Sequence, residues 1–137
     1  MFATHNRVRM HDTDMAGILY FAKQFRFVHD ALEDFVADGH DLTFDKLFRT
    51  EHFVFVIVHA EADYLAPLSV GDKLNIEVRV EKIGETSFTI GYKIFRVGTL
   101  AGLVGTAQTV HVTLDAETRK KIPVPASFRA FLQKHLE

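Results

Sequence analysis

Cysteine is absent from this chain of 137 residues, and charge of one sign is not in excess. Without a thiol there is no disulfide, no thiolate zinc site and no cysteine nucleophile, which favours a cytoplasmic location. Sixteen basic residues against eighteen acidic ones give a net charge of −2. This balance argues against a nucleic-acid partner, because such proteins usually carry a basic excess. No apolar run approaches the roughly 20 residues that cross a bilayer, so we expect no membrane span.

The chain has the size and composition of one folded domain. Domains most often hold about 100–150 residues, so we expect a single domain over residues 1–137. Hydrophobic residues make up 47% of the chain, and 13 of its residues are Phe. A chain of this size and composition can bury a core without crosslinks.

Apolar periodicity predicts one long helix near the N-terminus. A short strand alternates polar and apolar residues over residues 5–11. After it, aromatic and aliphatic residues recur at steps of four and three along one stripe. These residues are Phe21, Phe25, Val28, Leu32 and Phe35. The spacing predicts a helix over about residues 17–38, with Gly39 as its C-terminal stop.

Beyond His52 the period changes to two, which predicts four strands. The run from Phe53 to Val58 is continuously apolar, as is typical of a strand covered on both faces. Two alternating strands flank a turn at Gly84 and predict a hairpin. A long strand over about residues 101–114 and a short terminal helix follow. The order predicts an α+β fold in which an antiparallel sheet of about five strands wraps around one long helix.

The segment from His11 to Phe21 carries the strongest chemical signal. Asp12 and Asp14 lie two residues apart, ahead of Gly17 and the start of the predicted helix. An ionised carboxylate beside free N–H groups at a helix N-terminus is the pairing that acyl transfer needs. One group attacks or activates water, and the other receives the developing negative charge. From the residues alone, Asp14 can also be the N-cap of the helix.

Neighbouring residues in this segment have simpler interpretations. Asp12 is expected to orient the loop through backbone hydrogen bonds. Gly17 lets the backbone approach a ligand or supplies unusual dihedral angles. The histidines, including His11, have no spacing typical of metal ligands, so we expect no metal site. A sheet with uncovered edges also predicts pairing with a second copy, as a homodimer or homotetramer.

These motifs resemble the hotdog-fold acyl-CoA thioesterases of the 4-hydroxybenzoyl-CoA thioesterase type. The likeness covers nearly the whole chain. It rests on D-x-D-x-A-G from Asp12 to Gly17, D-Y-x-x-P-L from Asp63 to Leu68, G-D-x-L from Gly71 to Leu74, G-x-T-S-F from Gly84 to Phe88 and P-x-P from Pro123 to Pro125.

The resemblance implies a hotdog fold and an acyl-CoA thioesterase activity. It implies that Asp14 is the catalytic carboxylate, either nucleophile or general base, and that Gly17 belongs to the site. The backbone N–H of Phe21 would polarise the thioester carbonyl. The substrate-binding candidates that it implies are Tyr20, His59, Thr86 and Ser87. No cofactor is needed beyond the coenzyme A of the acyl-CoA substrate, and an acyl carrier protein is a possible partner.

The sequence departs from the family pattern in two places. One branch of the family carries a histidine where this chain has Phe21. Some members hold the CoA phosphates with hairpin arginines, where this chain has Gly84 and Glu85. The remaining basic candidates for the phosphates are Lys82, Arg119, Lys120 and Lys121.

Two other functions and several acyl groups stay open from the sequence. A hotdog dehydratase or isomerase acting on acyl thioesters would share the fold and an acidic residue. A non-catalytic module that binds acyl-CoA or acyl carrier protein would share the fold alone. For a thioesterase, aromatic, short-chain and fatty acyl groups are compatible, as is a quinone precursor such as a hydroxynaphthoyl thioester.

Overall fold

The computed structural model describes residues 1–38, 49 and 52–137. The elements in chain order are strand β1 (Phe2–Arg7), helix α1 (Gln24–Ala37), strands β2 (Phe53–Tyr64), β3 (Lys73–Ile83), β4 (Ser87–Val97) and β5 (Gly102–Asp115), and helix α2 (Ala126–Lys134). Two single-turn 3₁₀ helices, Met10–Asp12 and Phe21–Lys23, lie between β1 and α1. No helix in this described part of the chain is long and apolar enough to cross a membrane.

The strands form one antiparallel sheet of five in the order β1-β3-β4-β5-β2. The hairpin expected at Gly84 is present, because β3 and β4 pair from Lys73 opposite Val97 to Ile83 opposite Phe88. The order leaves β1 and β2 at the two edges. The expectation of an α+β fold, with a five-stranded antiparallel sheet around one dominant helix, is confirmed.

The core lies between one face of this sheet and helices α1 and α2. Phe27, Ala31 and Phe35 of α1 are completely buried. They face an aliphatic layer from β3 and β4 that is equally buried, formed by Ile76, Val78, Val80, Ile90 and Ile94. Helix α2 closes one end of this core, where the rings of Phe131 and Phe35 lie 4.9 Å apart.

Helix α1 begins later than the periodicity predicts. Gly17 has a φ of +78° and donates its N–H to the carbonyl of Asp14 at 3.0 Å, so the chain turns back on itself there. Regular α-helix starts only at Gln24, after the 3₁₀ turn Phe21–Lys23. The expected helix start at residue 17 is therefore wrong. The expected stop at Gly39 lies outside the described residues.

The first strand and the exposure of Phe21 also differ from the predictions. The first strand is Phe2–Arg7 rather than residues 5–11, because the chain leaves the sheet and forms the turn Met10–Asp12. Phe21 was expected to head the buried helical stripe, but it is 62% exposed. It precedes the regular helix, so its side chain does not share the direction of the stripe.

Strand β2 is the most apolar strand and yet lies at an edge. Val56, Ile57 and Val58 are 39%, 48% and 59% exposed. The expectation that this strand is covered on both faces is wrong for a single chain. An apolar edge strand of twelve residues is a surface that proteins normally cover.

Candidate active site

Asp14 occupies the tip of the loop between β1 and α1. Its Oδ1 accepts a 2.8 Å hydrogen bond from the N–H of Ala16, and its own N–H donates to the carbonyl of Ile18 at 2.9 Å. In the described part of the chain, Oδ2 of Asp14 has no hydrogen-bond partner, and the residue is exposed. Asp14 is not a helix cap, since Tyr20 and Lys23 occupy the N-cap positions. The carboxylate is thus held by one oxygen and open at the other.

Asp12 anchors the same loop from inside the protein. Its side chain is completely buried, and its two oxygens accept bonds of 2.7 and 2.5 Å from Nε and Nη2 of Arg26. The N–H of Arg9 adds a third bond at 2.8 Å. Burial alone raises the pKa of Asp12, but these hydrogen bonds and the charge of Arg26 outweigh burial and leave that pKa below its usual value. Asp12 therefore stays ionised. It orients the loop as expected, although mainly through the Arg26 side chain and only with one backbone hydrogen bond.

The bidentate partner Arg26 was not foreseen from the sequence. It projects from the first turn of α1, fourteen residues after Asp12. The guanidinium also reaches Asp30 on the next turn at 3.0 Å. A planar fork of this kind fixes direction as well as distance, so the loop is oriented relative to the helix. The only sequence signal was a cation on the polar face of the predicted helix.

Backbone bonds hold the loop against the segment that follows β2. Leu19 donates its N–H to Leu68 at 2.8 Å, and Tyr20 donates to the carbonyl of Asp12 at 2.8 Å. Isolated bridges join Thr13 to Leu19 and Ile18 to Ser69. The Asp14 turn is therefore a small hairpin that leads directly into the first helical turn.

The first helical turn has backbone N–H groups that are available to a ligand. Within the described residues, neither Phe21 nor Ala22 donates its N–H to a hydrogen bond, as expected at a helix start. The exposed rings of Tyr20 and Phe21 lie 4.9 Å apart beside these groups. Because helix N-termini favour negative charge, these N–H groups can receive an oxyanion.

Tyr64 ties the end of β2 to this turn. Its hydroxyl donates a 2.5 Å hydrogen bond to the carbonyl of Phe21. Partial burial raises the pKa of the Tyr64 phenol, so it remains a donor at neutral pH. The D-Y-x-x-P-L motif contained this residue, but nothing in the sequence linked it to a position 43 residues away.

Two cavities adjoin the helix start. A shallow groove of about 310 Å³ lies between residues 18–21 and residues 64–68, with Phe21 and Tyr64 in its wall. A second cavity, of about 200 Å³, runs between α1 and the β2 side of the sheet. Its wall is almost entirely apolar and is formed by Phe25, Val28, His29, Leu32, Ile57, Ala60, Tyr92 and Thr109. Phe25 is one helical turn, about 6 Å, beyond Phe21.

A buried polar chain forms the floor of the second cavity. The hydroxyl groups of Tyr92 and Thr109 lie 2.9 Å apart, and Thr109 Oγ1 lies 2.8 Å from Nε2 of His111. Burial, and to a smaller extent the neighbouring His29, lower the pKa of His111 to about 4. The imidazole is therefore neutral at physiological pH.

A family model described as the thioesterase-like superfamily matches residues 8–132. The chain belongs to this superfamily. A 1,4-dihydroxy-2-naphthoyl-CoA hydrolase from Nostoc punctiforme is 38% identical over 135 residues, which cover 97% of this chain and 88% of that relative.

Solved structures agree with this membership. A 1,4-dihydroxy-2-naphthoyl-CoA thioesterase from Synechocystis matches with a TM-score of 0.85 at 29% identity, covering 96% of this chain and 95% of that one. A 4-hydroxybenzoyl-CoA thioesterase in complex with 4-hydroxybenzoyl-CoA matches with a TM-score of 0.85 at 21% identity, covering 96% and 97%. The resemblance drawn from the sequence is confirmed, and with it the hotdog fold.

Within this thioesterase-like fold, the residues singled out from the sequence fall into two groups. Asp14, Gly17, Tyr20 and the Phe21 backbone lie together on the loop and helix start described above. Thr86 and Ser87 do not join them, because they lie at the β3–β4 hairpin at the opposite end of the sheet. On β5, Ser87 pairs with Val112, whereas Tyr64 pairs with Gly105. These two positions are seven residues apart, which is about 24 Å along the strand.

His59 lies between these groups, at the middle of the exposed edge. Its ring is 57% exposed and lies 3.4 Å from the carboxylate of Glu61. His11 lies 3.5 Å from Asp12, at the start of the loop. Across the described residues, no three His, Asp or Glu side chains are grouped in a way that could hold a metal ion.

Proposed function

We propose that the protein hydrolyses the thioester of an aromatic acyl-CoA, with Asp14 as the catalytic carboxylate and the Phe21 N–H as oxyanion donor. The observation that carries this proposal is the pairing of an open carboxylate oxygen with unpaired N–H groups on one braced loop. Membership of the thioesterase-like superfamily supports the same reaction. The pair of Asp12 and Arg26 holds the loop that carries Asp14, and Tyr64 holds the helical turn that carries the N–H groups.

In the proposed reaction the thioester carbonyl oxygen accepts a hydrogen bond from the Phe21 N–H. Asp14 then acts in one of two ways. As nucleophile it attacks the carbonyl carbon, the C–S bond breaks, and water hydrolyses the resulting anhydride. As general base it takes a proton from water, and that water attacks the carbon; the C–S bond then breaks, and the departing thiolate takes the proton from Asp14. Either route releases the free acid and CoA, and neither needs a metal or a cofactor.

The proposed acyl group is aromatic, and 1,4-dihydroxy-2-naphthoyl is the first candidate. The second cavity begins one helical turn beyond Phe21 and has the apolar wall that a flat ring system prefers. Its few polar groups, His29, Tyr92 and Thr109, suit ring hydroxyls. The Nostoc and Synechocystis relatives are named for this naphthoyl substrate, which supports the choice.

The proposed active unit is a dimer formed along β2. Two β2 edges that pair antiparallel about a two-fold axis bury the exposed run from Val56 to Val58. Such pairing sets the Tyr64 end of one strand beside the Phe53 end of the other. The partner's Thr86 and Ser87 then approach Asp14, which no single chain allows. His59 would lie near the axis.

The test of this function is release of free thiol from a panel of acyl-CoAs. The panel includes dihydroxynaphthoyl, hydroxybenzoyl and fatty acyl thioesters. We expect the highest kcat/KM on an aromatic thioester, and Asp14→Asn should lower kcat by about 10²–10⁴. Glu117→Gln, which neutralises an exposed carboxylate in the turn after β5, is the matched control.

Three results would contradict the proposal. An Asp14→Asn variant with near wild-type kcat excludes the carboxylate role. Hydration of crotonyl-CoA without thiol release favours a dehydratase or isomerase. Tight acyl-CoA binding without turnover favours a binding module. If hydrolysis is found, mass spectrometry after a single turnover in ¹⁸O-water tests the nucleophilic route, since attack of water on the anhydride at its Asp14 carbonyl labels the enzyme, whereas the general-base route labels only the product acid.

A further inference from the structure

A group of exposed cations lines a groove on the outer face of β1 and β3. The groove measures about 460 Å³, and His5, Arg7, Arg9 and Lys73 lie along it. The side chains of Thr4 and Asn6 bond to carboxylates of α1, so β1 directs His5 and Arg7 to the opposite, outer face. We name the groove lined by these four residues the basic groove.

The basic groove carries uncompensated charge. Arg7 lies directly opposite Lys73 in the β1–β3 register, and like charges in that arrangement repel. Among the described residues, the side chains of Arg7, Arg9 and Lys73 make no ion pair. Two carboxylates close in sequence pair with other cations, Asp12 with Arg26 and Asp72 with Arg96. A bound anion would relieve this repulsion.

The basic groove leads into the loop that carries Asp14. The N–H of Arg9 donates to the side chain of Asp12 at 2.8 Å, and Val8 donates to the carbonyl of Asp72 at 2.9 Å. Arg9 is therefore fixed at the start of that loop, five residues before Asp14. An anion in the basic groove lies on the same end of the sheet as the proposed catalytic carboxylate.

We propose that the basic groove binds the phosphate groups of the CoA nucleotide while the thioester lies at Asp14, an inference that rests on the proposed function. CoA carries a 3′-phosphate and a pyrophosphate at the far end of the pantetheine arm. Lys and Arg bind such groups by charge-assisted hydrogen bonds, and Arg can do so with two parallel N–H donors. The whole chain has a net charge of −2, so the positive charge of the basic groove is a local property of the surface beside the loop.

The test compares an acyl-CoA with its dephospho analogue, which lacks the 3′-phosphate. The double variant Arg7→Gln/Lys73→Gln should raise KM for the acyl-CoA at least tenfold and leave kcat unchanged, since one lost charged contact corresponds to about tenfold in affinity. The KM for the dephospho thioester should rise less. Lys93→Gln, which removes an exposed cation elsewhere in the sheet, should change neither value.

A direct titration keeps this test separate from the test of catalysis. Wild-type protein should bind adenosine 3′,5′-bisphosphate in calorimetry, and the double variant should lose that binding by at least tenfold. This titration stands even if no acyl-CoA is hydrolysed, a result that would reject only the proposed function. Unchanged KM and unchanged bisphosphate binding in the double variant would overturn the proposal that the basic groove binds the CoA phosphates. So would a rise in KM produced by Arg119→Gln/Lys120→Gln instead.

Discussion

The phenolic hydroxyl of Tyr64 donates a 2.5 Å hydrogen bond to the main-chain carbonyl of Phe21. This bond joins the last residue of β2 to the first residue of the 3₁₀ turn. The carbonyl of Phe21 and the N–H of Ala22 belong to one planar peptide unit. The bond therefore fixes the direction of the Ala22 N–H and limits rotation at the neighbouring Phe21 N–H. Tyr64 is a positioning residue for the proposed oxyanion donors.

Tyr64→Phe should lower kcat by about tenfold and leave KM nearly unchanged. A misdirected oxyanion donor costs less than the 10²–10³ in rate that follows complete loss of one. The measurement is steady-state hydrolysis of the best acyl-CoA, with thermal unfolding to verify that the variant folds. An unchanged kcat, or a change confined to KM, would show that the hydroxyl has no part in positioning the donors.

Asp12→Asn should destabilise the protein by about 2–4 kcal/mol, because Arg26 would lose the charge that compensates its own. The reason is specific to this pair, since the carboxylate is completely buried and accepts two guanidinium bonds. Urea unfolding of Asp12→Asn, Arg26→Met and the double variant measures the coupling. We expect the double variant to lose less than the sum of the single losses. Strict additivity would show that the two residues act independently.

Local patterns in the sequence were sufficient for the order of elements. The stripe from Val28 to Phe35 is buried, and the alternation in β3 and β4 forms the expected hairpin. Apolar spacing reports which side of an element is buried, and this is a local property. It does not report which strand lies at an edge. The position of β2 depends on its pairing with β5, about fifty residues later.

The same limit applies to the site. Asp14 and Gly17 were recognisable because they lie within one short motif. Arg26 and Tyr64 were not, because their roles arise from contacts across fourteen and 43 residues of sequence. The later start of α1 has a similar cause, since bridges to Thr13 and Ser69 hold the preceding residues extended. Contacts of this kind override helical spacing, and only the folded structure reveals them.

Val58→Lys should convert a dimer into monomers and reduce activity with it. A lysine on the exposed β2 edge places a charge where the proposed partner strand packs, and edge charges are a common means of preventing strand pairing. Analytical ultracentrifugation at several protein concentrations measures the assembly. Leu100→Lys, at an apolar residue 78% exposed in the turn before β5, is the control. A wild-type protein that sediments as a monomer while fully active would reject the shared site.

The unfolding free energy should fall as the pH is lowered from about 6.5 towards 4, and His111 should account for part of the fall. Burial lowers the pKa of His111 from 6.5 to about 4 in the folded protein. Between these values the unfolded chain binds a proton that the folded chain does not, so acid favours unfolding. The contribution is complete above pH 6.5, is lost as the pH approaches 4, and amounts to about 3 kcal/mol.

The measurement is urea unfolding at pH 7.5, 6.0 and 5.0 for wild type and His111→Gln. The variant should be less stable at pH 7.5, because Thr109 loses its ring partner, but its stability should depend less on pH. Burial also lowers the pKa of His135, so the difference between the two slopes, rather than either slope, reports His111. Asp12 does not interfere, since its contribution is lost at lower pH, as the carboxyl protonates below its ordinary pKa of 3.8. Equal slopes in the two proteins would show that His111 takes up its proton in the folded state as readily as in the unfolded chain.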